Sequence, residues 1–140
     1  MFHVLMVEDS PSDVLLMEDV LEDFHPHVTL HVVTDGVDAL AFLHRQAPYE
    51  RVPRPHVVLL DGHTPRMDAV EVLTVLRQDE AFRELPVLVF SGSGAEADVH
   101  NCLLAGATDY ITKPMGVEAY TDVVHRTLAF WCSRVSTEPS

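Results

Sequence analysis

Two runs of four residues, Val57-Val58-Leu59-Leu60 and Val87-Leu88-Val89-Phe90, contain no polar side chain. Read as strands, they show none of the alternation that a half-exposed strand carries, so both of their faces must be covered. They belong at the centre of a sheet with helices on either side. Slightly extended, to 56–60 and 86–90, they form a series with three further runs at 2–7, 28–33 and 108–111. Stretches of helical period separate all five, the pattern of repeated strand-helix units around a parallel sheet. In the second run Val28, Leu30 and Val32 alternate with Thr29, His31 and Val33, which suits an edge strand with one less buried face.

The helices are legible as apolar stripes: Met17, Val20, Leu21 and Phe24 in the first, and Ala69, Val72, Leu73 and Leu76 in the third. Ser10 is placed to cap the first helix, with Pro11 at the first helical position, where its missing N–H costs nothing. Gly36 and Gly106 fall where turns or caps are expected. Three prolines in 47–55 predict an ordered, non-helical loop.

At 140 residues the chain has room for one substantial core. It reads as a single domain over 1–140, ending in a polar tail over 134–140. No apolar run approaches a membrane span and no secretory leader is evident, so a cytoplasmic location is expected. A formal charge of −13 would be repelled by nucleic-acid phosphates. Cys102 and Cys132 lack Cys-x-x-Cys spacing and read as packing residues.

Polar chemistry gathers at the strand ends. Val7 is followed by Glu8 and Asp9, Leu60 by Asp61, Phe90 by Ser91, and Ile111 by Thr112 and Lys113. The carboxyl ends of parallel strands lie along one edge, where ligands bind, so these groups are expected to converge. Any one of them alone could simply cap a helix. Together they would place three carboxylates in one crevice, which must be protonated, paired or bridged by a cation. Oxygen ligands without His or Cys suit Mg2+ rather than zinc. An aspartate beside such an ion can attack phosphorus, with Lys113 and the Ser91 hydroxyl gripping the phosphoryl oxygens.

On these residues the chain resembles the response-regulator receiver domains. The acidic pair Glu8-Asp9, Asp61 with Pro65 four residues on, Ser91 followed by Gly92, and Lys113-Pro114 match that family's motifs in order. The resemblance implies a flavodoxin-like (βα)5 three-layer sandwich, α/β in class, with a five-stranded parallel sheet of order 2-1-3-4-5. It implies that Asp61 is the phosphoacceptor, and that Asp9, Asp61 and the backbone carbonyl of His63 bind Mg2+, with Glu8 assisting through water or a hydrogen bond. It also implies that Tyr110 is the aromatic switch residue beside Ser91, and that the phosphodonor is a sensor histidine kinase. A protein of this kind is not classed as an enzyme, since its chemistry is its own phosphorylation and dephosphorylation. A finer resemblance, to the small receivers paired with bacterial phytochromes, rests on Phe42-Leu43, Tyr49, Pro53-Arg54-Pro55 and Phe130-Trp131. Two departures stand out: Ala69 where the family has glycine, which would let the loop shift, and Gly62-His63-Thr64 after the acceptor.

With no output domain expected after the fifth unit, signalling would act through a changed surface on the fourth and fifth helices. Val117, Tyr120, Val124, Leu128 and Trp131 form one stripe of the fifth helix, with Val123 and Phe130 beside it. That face is wider than a sheet needs and suggests a homodimer contact. His25, His27 and His31, among the nine histidines, read as surface residues. An FMN binder would need a phosphate loop where Glu8, Asp9 and Asp13 stand, and a haloacid-dehalogenase-like phosphatase would need an acid at position 63, which is His. The remaining alternative is a receiver-like interaction module that works without phosphorylation.

Overall fold

The structure, a computed structural model, describes residues 1–136, with side chains to residue 135. Its elements in chain order are β1 (Phe2–Val7), α1 (Pro11–Glu22), β2 (Val28–Val33), α2 (Gly36–Leu43), β3 (Val57–Leu60), α3 (Ala69–Gln78), a 3-10 turn (Glu80–Phe82), β4 (Val87–Ser91), α4 (Glu96–Ala105), β5 (Asp109–Thr112) and α5 (Val117–Ser136). The strands form one parallel sheet in the order β2-β1-β3-β4-β5, as the resemblance implied. The apolar runs of β3 and β4 are wholly buried, whereas the edge strands β2 and β5 are partly exposed.

Side-chain alternation divides the core in two. Leu5, Val7, Val58, Leu60, Val87 and Val89 point to one face, where α2 and α3 cover them with Phe42, Val72, Leu73 and Leu76. Val4, Met6, Val57, Leu59, Leu88 and Phe90 point to the other, against Met17 and Val20 of α1 and Tyr120, Val124 and Leu128 of α5. The third helix buries the four residues of its predicted stripe. Asp68 accepts from the Glu71 N–H while the Glu71 carboxylate accepts from the Asp68 N–H, satisfying two end donors reciprocally. Ser10 caps α1 as predicted, with Pro11 first in the helix.

Several expectations need correction. Gly36 does not turn the chain: Asp35 caps α2 and Gly36 is its first residue. It is small because the Met67 carbonyl oxygen and a Val72 methyl lie where a Cβ would stand. Gly106 does occupy the left-handed region, at φ 112°, ending α4. Ala69 starts α3 without positive φ, so the glycine freedom thought missing there is not required. On α5 the buried row is Tyr120, Val124, Leu128 and Cys132, a four-residue spacing that keeps one side on the sheet. Val117 and Phe130 lie off it, 65% and 48% exposed, while Trp131 packs partly against the core. His25 and His27 are exposed, but His31 is half-buried and hydrogen-bonded to His3, because the β1–β2 register puts both on the α2 face. The helix α5 runs to Ser136, into the expected tail; residues 137–140 lie outside the described residues.

Candidate functional site

Each strand delivers its polar residue through a backbone bond to its neighbour. The Glu8 N–H donates to the Val33 carbonyl at 2.9 Å, the Asp61 N–H to Val7 at 3.1 Å, and the Lys113 N–H to Ser91 at 2.7 Å. The ladder thus continues one residue past the strand ends and carries the functional side chains to a common edge. Carboxylate oxygens of Glu8, Asp9 and Asp61 all lie within 4.8 Å of one another. Two ionised carboxylates at that range repel by about 3–4 kcal/mol at an effective dielectric of ~20.

Lys113, the only lysine of the chain, answers part of this charge. Its Nζ donates to Glu8 Oε1 at 2.7 Å and to Asp13 Oδ2 at 3.0 Å, and it lies 5.7 Å from the centre of the Phe90 ring. Burial opposes its charge, but the hydrogen bonds it donates to Glu8 and Asp13 outweigh that and raise its pKa. Glu8 is 2% exposed. Burial pushes its carboxyl up to about 7; the Lys113 hydrogen bond pulls down, and Asp61 adds to the rise. One ammonium therefore does not settle three carboxylates, and Glu8 is left between protonation and a further cation.

The rest of the site surrounds Asp61. Its Oδ1 accepts from the His63 N–H at 3.3 Å. Gly62 leaves the space beside it open, since a Cβ there would stand 3.0 Å from the Ser91 hydroxyl oxygen. Ser91 is buried and accepts from the Ser93 N–H at 3.2 Å. The Tyr110 hydroxyl donates to the Ser93 carbonyl at 2.7 Å with its ring partly buried against the core. Glu8, Asp9, Asp61, Ser91 and Lys113 thus converge as expected, and Tyr110 is tied to the loop that follows Ser91. The donor set near Asp61 is all oxygen, with Asp9 exposed, which fits a hard divalent cation that retains water.

Two participants escaped sequence reasoning. By sequence Asp13 reads only as a loop acid, yet it is the second partner of Lys113, reached because the Ser10 cap aims the first turn of α1 at the site. Tyr120 reads as part of the core stripe, and its buried hydroxyl has no hydrogen-bond partner among the described residues. Burial raises its pKa to about 12, with Lys113 opposing.

With this geometry in hand, comparison with known proteins is specific. The response regulator receiver domain family matches residues 4–125. The response regulator Rcp1 of Synechocystis is 34% identical over 133 residues, covering 95% of this chain and 90% of that one. Its Mn2+-bound crystal structure superposes with a TM-score of 0.86 over 94% of both chains. The phosphorylated cyanobacterial phytochrome response regulator RcpA is 30% identical, with a TM-score of 0.90 over 99% of both chains. RPA3017, described as a response regulator in red light signaling of R. palustris, is 29% identical, with a TM-score of 0.88 over 94% of both chains.

Proposed function

The chain belongs to the response regulator receiver domain family, and from that premise we propose that it accepts a phosphoryl group on Asp61 from a phosphohistidine of a sensor histidine kinase, with Mg2+ as cofactor. The observation that carries this is the incomplete charge balance at the carboxyl edge: carboxylates of Glu8, Asp9 and Asp61 within 4.8 Å of one another, with Lys113 already committed to Glu8 and Asp13. Asp9, Asp61 and the His63 carbonyl would hold the ion, with Glu8 assisting. Bound there, it would offset charge on the phosphoryl oxygens and orient them for in-line attack.

This chain's residues do the rest. An Asp61 carboxylate oxygen bonds to phosphorus as the bond from phosphorus to the donor imidazole breaks; the imidazole nitrogen keeps the electron pair and takes a proton. Lys113 and the Ser91 hydroxyl then bind phosphoryl oxygens. Lys113 shares its donors between Glu8 and the new anion, and Ser91 moves toward Asp61. That movement disturbs the Ser93 segment to which Tyr110 is bonded, and so biases the surface of α4, β5 and α5. The chain turns over no external substrate in this reading, so it is not an enzyme in the usual sense. The likeness to Rcp1, RcpA and RPA3017 supports a place in phytochrome light signalling. The exposed Phe130 beside Trp131 supports a homodimer through α4 and α5. The charge of −13 supports a protein partner rather than nucleic acid. No helix among the described residues is long and apolar enough to cross a membrane, and we place the protein in the cytoplasm.

The test is incubation with Mg2+ and acetyl phosphate followed by intact mass measurement. One phosphoryl group is expected on the wild type and none on Asp61→Asn. A gain that persists in Asp61→Asn overturns the assignment.

A further inference from the structure

We propose that Arg66 is a positioning residue for the cation site, fastening the β3–α3 loop to the first turn of α2 so that the His63 carbonyl is held where the ion binds; this rests on the reading that Asp9, Asp61 and that carbonyl hold a divalent cation. The loop, 62–68, starts beside the acceptor and ends at Asp68, the cap of α3. At its near end the His63 N–H donates to Asp61 Oδ1 at 3.3 Å and the Ala69 N–H to the Gly62 carbonyl at 3.4 Å. At its far end Arg66 Nε donates to Asp35 Oδ2 at 2.7 Å and Nη2 to Asp38 Oδ1 at 3.3 Å.

Three observations mark this as a built connection rather than a passing surface pair. Asp35 is buried, and the Arg66 hydrogen bond, against the cost of burial, holds its carboxyl below the usual carboxylate range. Its other oxygen accepts from the Asp38 N–H at 2.8 Å, so the group that receives Arg66 is itself fixed by capping α2. The loop backbone also meets α2 directly, the Met67 carbonyl filling the space left by the missing side chain of Gly36.

Arg66 itself sits at φ 66°, a left-handed conformation that costs energy for a residue with a Cβ and persists only where its surroundings impose it. Inside the loop the buried Thr64 hydroxyl donates to the Met67 carbonyl at 2.8 Å, which braces the same segment. Arg66 bonds to none of Glu8, Asp9 or Asp61, so its influence on the ion runs through the loop it anchors. Outer partners of this kind set the orientation of the groups that touch a metal.

The experiment measures cation binding to the full chain, by calorimetry with Mg2+ and by electron paramagnetic resonance with Mn2+, alongside thermal unfolding without divalent ions. Arg66→Asn keeps a residue tolerant of the left-handed conformation but removes the anchor. Asp35→Asn keeps the cap but removes the charge. Both are expected to weaken binding by roughly tenfold, Arg66→Asn with a lower thermal midpoint because it leaves the buried Asp35 carboxylate unpaired and Asp35→Asn with a smaller change, and to be less than additive when combined. Arg66→Lys, retaining the charge, should recover part of the loss. Wild-type affinity in Arg66→Asn would overturn the proposal, as would a loss confined to a variant whose midpoint falls in parallel. Failure of the wild type to bind either cation would instead sink the reading of the site itself.

Discussion

Two polar clusters interrupt this otherwise apolar sheet, and they are built on opposite principles. At the carboxyl edge Glu8, Asp9, Asp61 and Lys113 bring like charges together and leave them partly uncompensated. His3, His31 and His56, by contrast, meet one another across neighbouring strands. His3 Nδ1 and His31 Nε2 are 3.0 Å apart, the His3 N–H donates to His56 Nδ1 at 2.9 Å, and the His3 and His56 rings stack. His31 also lies against the Phe42 ring. Half-buried polar groups that bond to one another hold structure, whereas groups whose demands exceed their partners mark a place where something else must bind.

The largest effect that could break this contrast is removal of the single ammonium. Lys113→Met should cost about 3 kcal/mol at pH 8 without divalent ions, because it leaves a buried carboxylate without its cation. The cost should shrink at pH 5, where Glu8 carries its proton, and denaturant unfolding at the two pH values checks it. An equal cost at both would mean that the edge is not under charge stress.

A smaller effect comes from Glu8 alone. Its folded pKa, about 7 against an ordinary 4.5, means that the folded chain retains a proton the unfolded chain has lost between those values. Its contribution to stability is therefore present below that window and lost as pH rises through it. Glu8→Gln should flatten this slope, and so should saturating Mg2+ in the wild type. A slope that survives the substitution would remove Glu8 as its source.

The smallest effect has the opposite sign. Burial first, then the neighbouring His3, lowers the pKa of His31 below its ordinary 6.5. Protonation then favours the unfolded chain, so stability should fall as pH drops below that value. His31→Asn should flatten the acid limb alone and leave phosphorylation from acetyl phosphate unchanged. If it altered phosphorylation, the imidazole cluster would belong to the site after all.

The central strands were readable because a strand covered on both faces has no position for a polar residue, and β3 and β4 obey that over their whole length up to Ser91. The stripe of α3 was readable for the same reason, one side of a regular period being buried. The stripe of α5 was misread at Val117 because periodicity gives the face of a helix but not where along its length the sheet begins to cover it. His31 was misread because its partner His3 is on another strand, and only the register brings them together.

That Glu8, Asp9, Asp61, Ser91 and Lys113 share one edge follows from residue order alone: five parallel strands must end on the same side, and each of these residues stands at or just beyond the end of its strand. Side-chain packing between elements settled that Lys113 divides itself between Glu8 and Asp13, that Arg66 reaches Asp35, and that three half-buried histidines bond to one another. Those outcomes depend on how far a side chain reaches between residues up to 105 apart in the chain, and local periodicity carries no record of that distance.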